Sequence, residues 1–304
     1  MRIVSVLPSA TEIVCALGHG EELVGRSLEC DYPPEVQRLP AVMWPRTIDA
    51  DHTSAEIDER VRRVRGRGDS LYVLDIEALR ALQPDLLLTQ DLCGVCSVTS
   101  EEVTDACTRA GVAPRVLSLV PRTLEDVWRS FPTVAAALQD PEAGLRLEQA
   151  ARTASAAARG TPGTAHRVAI VEWVDPPILA GLWDAEIVAA AGGVSVGPGK
   201  GEPSVRTTWK ELAALAPDLV VISPCSFSVP RTERELSAPH VAEGVRRLSP
   251  ALGVYLADEA YFSRPGPRLA DGVRLVRSLL ERRAVHDPLP VRRWEGRATP
   301  TVRS

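Results

Sequence analysis

Six cysteines are the residues of this 304-residue sequence whose type and spacing most plainly suggest chemistry. Cys93 and Cys96 form a Cys-x-x-Cys pair in Asp91-Leu92-Cys93-Gly94-Val95-Cys96. Cys225 stands in Ser223-Pro224-Cys225, and Cys30 follows the expected strand Leu23–Arg26. The pair spacing serves redox dithiols, zinc and iron–sulfur clusters alike. A thioredoxin-type dithiol needs the pair at the start of a helix that stabilises its thiolate, and Ser97-Val98-Thr99-Ser100 separates this pair from the next expected helix. Closed zinc knuckles fold small modules, whereas these thiols come from widely separated segments. Iron–sulfur centres accept thiolates from separated loops. A [4Fe–4S] cluster on Cys30, Cys93, Cys96 and Cys225 is therefore the expected metal site, with zinc, a redox dithiol or thiols that merely line a pocket as alternatives. Cys15 and Cys107 fall inside expected helices and read as small core residues.

The second set of candidates is aromatic and charged. Aromatic residues make up only 4% of the chain, yet Trp44, Trp173, Trp183, Tyr261 and Phe262 fall on expected strand ends and loops. That concentration suits a flat, partly apolar ligand; rings that cap a core are the plainer reading. Asp91, Glu172, Arg206 and Arg264 could supply polar specificity or be solvated charges. There is no Gly-x-Ser-x-Gly elbow, and the stretch Gly197-Pro198-Gly199-Lys200-Gly201 lacks the spacing of a Walker or dinucleotide fingerprint. A hydrolase triad and a nucleotide enzyme are therefore disfavoured.

The elements that position these residues read as α/β. Ile3–Leu7 is a strand, followed by a helix to Leu17 in which Ser9 and Glu12 are expected to form a capping box. Thr53 with Glu56 opens a second helix, and Ile57, Val61 and Val64 follow at helical period. Ile76–Leu82 is a short helix, and Leu86-Leu87-Leu88 an apolar strand without alternation, as in a parallel sheet covered on both faces. An internal repeat is visible: Glu77–Cys93 (EALRALQPDLLLTQDLC) matches Glu211–Cys225 (ELAALAPDLVVISPC), and Arg2–Val6 with its helix matches Arg167–Val171 followed by the helix Asp184–Ala191. The expected organisation is an amino-terminal lobe over 1–122, a helical connection over 123–160, a homologous lobe over 161–286 and a surface tail over 287–304. In the connection, Thr123 and Asp140-Pro141 start helices, the second of which would be roughly 28 Å long at 1.5 Å per residue. In open α/β sheets, ligands bind beyond the carboxyl ends of the strands, where Cys30, Cys93, Cys96 and Cys225 all fall.

Charge and hydropathy exclude other classes. With 35 basic and 40 acidic residues the formal charge is -5, which removes the usual electrostatic reason to expect nucleic acid. No apolar stretch approaches the ~18 residues of a membrane span, so no membrane insertion is expected. The apolar run Ile3–Leu7 is shorter than the ~7–15-residue core of a secretory signal. The expectation is a cytoplasmic chain with reduced thiols.

Val4-Ser5-Val6-Leu7-Pro8-Ser9-Ala10-Thr11-Glu12, Asp75…Leu79-Arg80…Pro84-Asp85, Thr89-Gln90-Asp91-Leu92-Cys93 and Tyr261-Phe262-Ser263-Arg264-Pro265-Gly266-Pro267-Arg268 together resemble the cobalamin-binding branch of the class III substrate-binding proteins of ABC transporters. The resemblance covers roughly residues 1–283. It implies two doubly wound α/β lobes joined by a long helix, a small molecule held in the cleft between them, and an ABC-transporter partner; the amino-terminal reading sets a cytoplasmic chain against such delivery. The cysteines resemble those of a cytoplasmic subgroup. Two functions follow as expectations. In the first, the cleft carries a four-cysteine metal site, an iron–sulfur cluster, and binds and transforms a small molecule. The alternative is a corrinoid-binding protein without metal on the cysteines, in which Trp44, Trp173, Trp183, Tyr261 and Phe262 are the platforms.

Overall fold

The computed structural model describes residues 1–46, 51–91, 98–158, 166–283 and 291–296. The chain divides into two compact units. The first holds Met1–His52, Glu59–Pro121 and Glu125–Ala151; the second holds Thr53–Asp58, Arg122–Leu124 and everything from Arg152 onward.

The first unit contains β1 (Ile3–Ser5), α1 (Pro8–Ala16), β2 (Leu23–Ser27), β3 (Ala41–Pro45), most of α2 (Ser54–Gly66), β4 (Tyr72–Leu74), α3 (Ile76–Leu82), β5 (Leu86–Gln90), α4 (Ser100–Ala110), β6 (Arg115–Leu119), α5 (Leu124–Ala137) and the start of α6 (Pro141–Ala157). Its six strands run in the order β4-β3-β2-β1-β5-β6, parallel except for the edge strand β4. Leu86–Leu88 are buried on both faces, which is why the sequence shows an unbroken apolar run there. On one face Val4, Val42 and Leu87 pack with Leu79 of α3 and Val103, Ala106 and Cys107 of α4.

The second unit contains β7 (Arg167–Val174), β8 (Pro177–Leu179), α7 (Asp184–Ala190), β9 (Val194–Ser195), β10 (Val205–Arg206), α8 (Trp209–Ala214), β11 (Leu219–Ile222), α9 (Val229–Glu235), α10 (Pro239–Arg246), β12 (Gly253–Ala257), α11 (Leu269–Leu280) and β13 (Val291–Arg293). The main path of its sheet is β10-β8-β7-β11-β12-β13, with β9 beside β7. β7, β11 and β12 are parallel neighbours, and β13 runs antiparallel to β12.

The repeat seen in the sequence is reproduced at the level of single hydrogen bonds. The Arg2 amide donates to Asp85 Oδ2 at 2.7 Å, and the Arg167 amide to Asp218 Oδ2 at 2.8 Å. Each arginine then turns its Nε to the last carbonyls of the helix before the Pro-Asp pair, Leu82 at 2.7 Å and Leu215 at 3.0 Å. Each aspartate amide returns a bond to the arginine carbonyl, and each aspartate carbonyl accepts from the next parallel strand, from Arg115 and from Leu252. Even the left-handed residue that ends each helix is matched, Gln83 at φ 43° and Ala216 at φ 45°. Asp85→Ala and Asp218→Ala should each lower stability by about 1 kcal/mol, the net worth of one ordinary hydrogen bond, as read from urea denaturation midpoints.

Thr53 and Glu56 exchange the expected capping bonds. At α1, by contrast, Ser9 is not the cap: Pro8 occupies the first helical position and Leu7 the cap position, because the fixed φ of proline suits that first position. The Ser9 hydroxyl is thereby buried inside the first turn. Within the stretch expected as a surface tail lies β13, a short edge strand whose pairing with β12 no periodicity in three residues could announce. Among the described residues, no helix is long and apolar enough to cross a membrane.

Candidate functional site

In the first unit, the connections diverge at β1 and β5, since β2 lies on one side of β1 and β5 on the other. Ligand sites of open sheets gather at the carboxyl ends of strands on either side of such a switch. Ser9 Oγ and Gln90 Oε1 stand there, both buried and without a hydrogen-bond partner. Neither is among the ligand contacts expected from the sequence, although Gln90 closes β5 and the strand-end rule points at that position. Cys30 follows β2 and is buried, with Thr11 Oγ 3.1 Å from its Sγ and the Ser5 carbonyl 3.8 Å away. Trp44 ends β3 half-buried. Asp91 accepts from the Ser100 amide at 2.7 Å and the Ser118 hydroxyl at 2.6 Å. Burial pushes its carboxyl up, but these hydrogen bonds outweigh burial and hold it below the usual aspartate range.

Cys93 and Cys96 lie outside the described residues. Among the described residues, no group of three or more His, Cys, Asp or Glu comes together as a metal site. Cys107 is buried in the core, as expected. Cys15 is half-buried, its thiol pushed up to about 11 by burial and by Glu12 and Glu35, so it is not poised as a thiolate.

In the second unit, Glu172 and Trp173 end β7, half-buried, and the Cys225 amide donates to the Glu172 carbonyl at 3.1 Å. The Trp173 ring lies 5.1 Å from Phe227 at 44°, and the Arg231 guanidinium sits 4.7 Å over Phe227. Arg231 pairs with Glu235 at 3.2 Å. Glu235 in turn accepts the Ser54 amide at 2.8 Å and hydroxyl at 2.9 Å, while Trp173 Nε1 donates to the Ser54 carbonyl at 3.2 Å. Arg206 grips Asp58 with two bonds, at 2.5 and 3.1 Å. The Thr53–Asp58 turn thus owes its place in the second unit to Glu235, Trp173 and Arg206.

Arg264 is likewise engaged, in a buried ion pair with Glu259 Oε1 at 2.5 Å. Glu259 Oε2 accepts the Ser226 amide at 2.5 Å. Trp183, Tyr261 and Phe262 are inside the unit, exposed by 3%, 6% and 1%, and Trp183 Nε1 donates to the Phe262 carbonyl at 2.6 Å. That bond ties the segment after β12 to the residue that precedes α7. Of the nine residues expected to touch ligand, Trp44, Glu172 and Trp173 have half-buried side chains at strand ends that still reach the surface. In the second unit, buried Phe227 backs the Trp173 ring and half-buried Arg231 lies over Phe227; sequence reasoning missed both because they follow Cys225 in a loop and helix with no recognisable motif.

No family model matches the chain. A vitamin B12-binding protein of Pectobacterium carotovorum subsp. carotovorum (strain PC1) is 24% identical over 278 residues, 88% of this chain and 84% of that relative. The periplasmic heme-binding protein RhuT from Roseiflexus sp. RS-1, in its apo form, superposes with a TM-score of 0.63 at 23% identity, covering 92% of this chain and 98% of its own. The fold is that of the class III substrate-binding proteins. The periplasmic vitamin B12 binding protein BtuF of Vibrio cholerae has the same fold, with a TM-score of 0.62 at 21% identity over 92% of this chain and 96% of that one. The class III resemblance read from the sequence therefore extends along nearly the whole chain.

Proposed function

We propose that this chain captures a flat tetrapyrrole, a corrinoid in the first place and a porphyrin in the second, as the ligand-binding component of an ABC-type uptake system. One observation carries the reading: the likeness to a vitamin B12-binding protein that runs over 88% of the chain. Two features of the carboxyl-end loops support it. Trp44 in the first unit and Trp173 in the second each offer a partly exposed aromatic face, which suits a broad planar ring, and buried Phe227 backs the Trp173 ring, with half-buried Arg231 and Glu172 supplying charge in the second unit.

The test is a spectrophotometric titration of the full chain with cyanocobalamin and with hemin. Saturable binding in the micromolar range is expected, and Trp44→Ala and Trp173→Ala should each weaken it about tenfold, the worth of one stacked aromatic ring. Absence of binding to both compounds at about 100 μM would sink the proposal.

The finer reading, a four-cysteine iron–sulfur cluster that binds and transforms a small molecule, rests on thiol spacing and on the strand-end positions of Cys30 and Cys225. Anaerobic purification decides it. A brown protein with a broad band near ~400 nm that vanishes in Cys93→Ser supports the cluster, and a colourless protein without iron rejects it.

A further inference from the structure

The amino-terminal end of β12, opposite the end that leads into Asp258 and Glu259, opens into a cavity of about 440 Å³. Leu252 and Leu279 form its apolar part, and Tyr255, Arg282, Arg283 and Arg293 its polar part. Register builds this arrangement. Tyr255 is the direct cross-strand partner of Arg293, so both side chains leave the same face of the sheet. Gly253 sits two residues before Tyr255 at φ +104°, and a Cβ there would stand 3.2 Å from Arg293 Nε and 3.4 Å from the Tyr255 ring. Only glycine combines that backbone angle with room for both groups.

The strand that presents Arg293 is tied down from its other side. Arg292 forms an ion pair with Glu233, the Trp294 amide donates to the Val254 carbonyl at 2.9 Å, and Arg246 holds the Gly296 carbonyl through two bonds at 3.1 and 3.2 Å. Around the cavity, Arg283 is paired with Glu281 at 3.0 Å. Arg282 and Arg293 have no carboxylate or other acceptor among the described residues. Three guanidinium groups therefore line one concavity, with Glu281 as their one carboxylate partner among the described residues, in a chain whose net charge is negative.

We propose that this cavity binds a small organic anion, an oxyanion head group on an apolar body. Guanidinium forks match carboxylate and phosphate oxygens in pairs, the leucines and the Tyr255 ring suit an apolar or aromatic body, and the volume lies in the range of small-molecule sites. The site is independent of the tetrapyrrole reading, because it uses the opposite end of the β12 strand and none of the same side chains.

The experiment titrates the full chain with naphthyl phosphate and with naphthoate, followed by ligand fluorescence, and with naphthol as the uncharged control. One or both anions should bind saturably and more weakly as salt rises, and the preferred one identifies the head group. Naphthol should bind at least tenfold more weakly. The double variant Arg282→Gln with Arg293→Gln keeps the side-chain stems and should lose at least tenfold in affinity. Arg274→Ala, which removes an exposed arginine of α11 away from the cavity, should change nothing. Circular dichroism and a thermal melt establish that the variants are folded. The proposal is overturned if neither anion saturates below about 5 mM, if naphthol binds as tightly as the anions, or if the double variant, folded, binds like the parent chain.

Discussion

Glu259→Leu should lower the stability of the second unit by about 3–5 kcal/mol, because it strands the Arg264 guanidinium in a site that was built for a pair. Both side chains are about nine-tenths buried, and the Glu259 carboxylate also receives the Ser226 amide. Burial pushes the Glu259 carboxyl up, and Arg264 and the Ser226 amide work against that; the pair is held together by mutual need rather than by a large net gain. The double replacement Glu259→Leu with Arg264→Leu should recover most of the loss, since exchanging a buried ion pair for apolar side chains is often neutral. Urea denaturation of the two single variants, the double variant and the parent closes the cycle. Equal destabilisation by the double and single variants would show that the loss comes from packing and not from the unpaired charge.

Asp184→Asn should make the protein more stable at neutral pH and leave it unchanged near pH ~4. Asp184 is 5% exposed at the start of α7, and its Oδ1 has no hydrogen-bond partner. Burial, and then the neighbouring Glu172 carboxylate, raise its pKa well above the usual aspartate value. The folded state therefore holds a proton that the unfolded chain releases near pH ~4. Below that pH both states are protonated and the residue costs nothing. As pH rises from there toward the raised folded value, stability falls by about 1.4 kcal/mol per pH unit. Asparagine has no proton to lose and removes the slope. Denaturation midpoints of parent and variant at about pH 4, 6 and 8 test this; parallel curves would show that Asp184 ionises as freely in the folded protein as in the unfolded one.

Much of the architecture could be read from the residues. The Pro-Asp pairs at 84–85 and 217–218 announced two related sheets because proline and aspartate are punctuation that short apolar strands cannot supply for themselves. In the structure those aspartates turn out to be the working parts of the repeat. β13 escaped notice because an edge strand of three residues has too little sequence to show alternation. The site was less readable. Trp183, Tyr261 and Phe262 have the composition of a ligand platform, but an aromatic ring is equally good core material, and burial, which a sequence does not display, is what distinguishes the two uses. Arg206 and Arg264 were expected to meet ligand; their carboxylate partners, Asp58 and Glu259, lie too far from obvious motifs in one case and too close to notice in the other.

The duplicated arginine–aspartate clasp also bears on how the two units can differ in content. In the first unit the clasp closes a loop of 83 residues, and in the second a loop of 51. Closure entropy grows only with the logarithm of loop length, so the longer loop costs about 0.4 kcal/mol more. An insertion of thirty-odd residues between the first strand and its clasping aspartate is therefore almost free at equilibrium. Its cost is in time: on the ribosome, β1 waits for Asp85 to emerge before it can be fastened. The clasp fastens the amino-terminal ends of the two central strands to each other and leaves the intervening chain open to evolutionary tinkering.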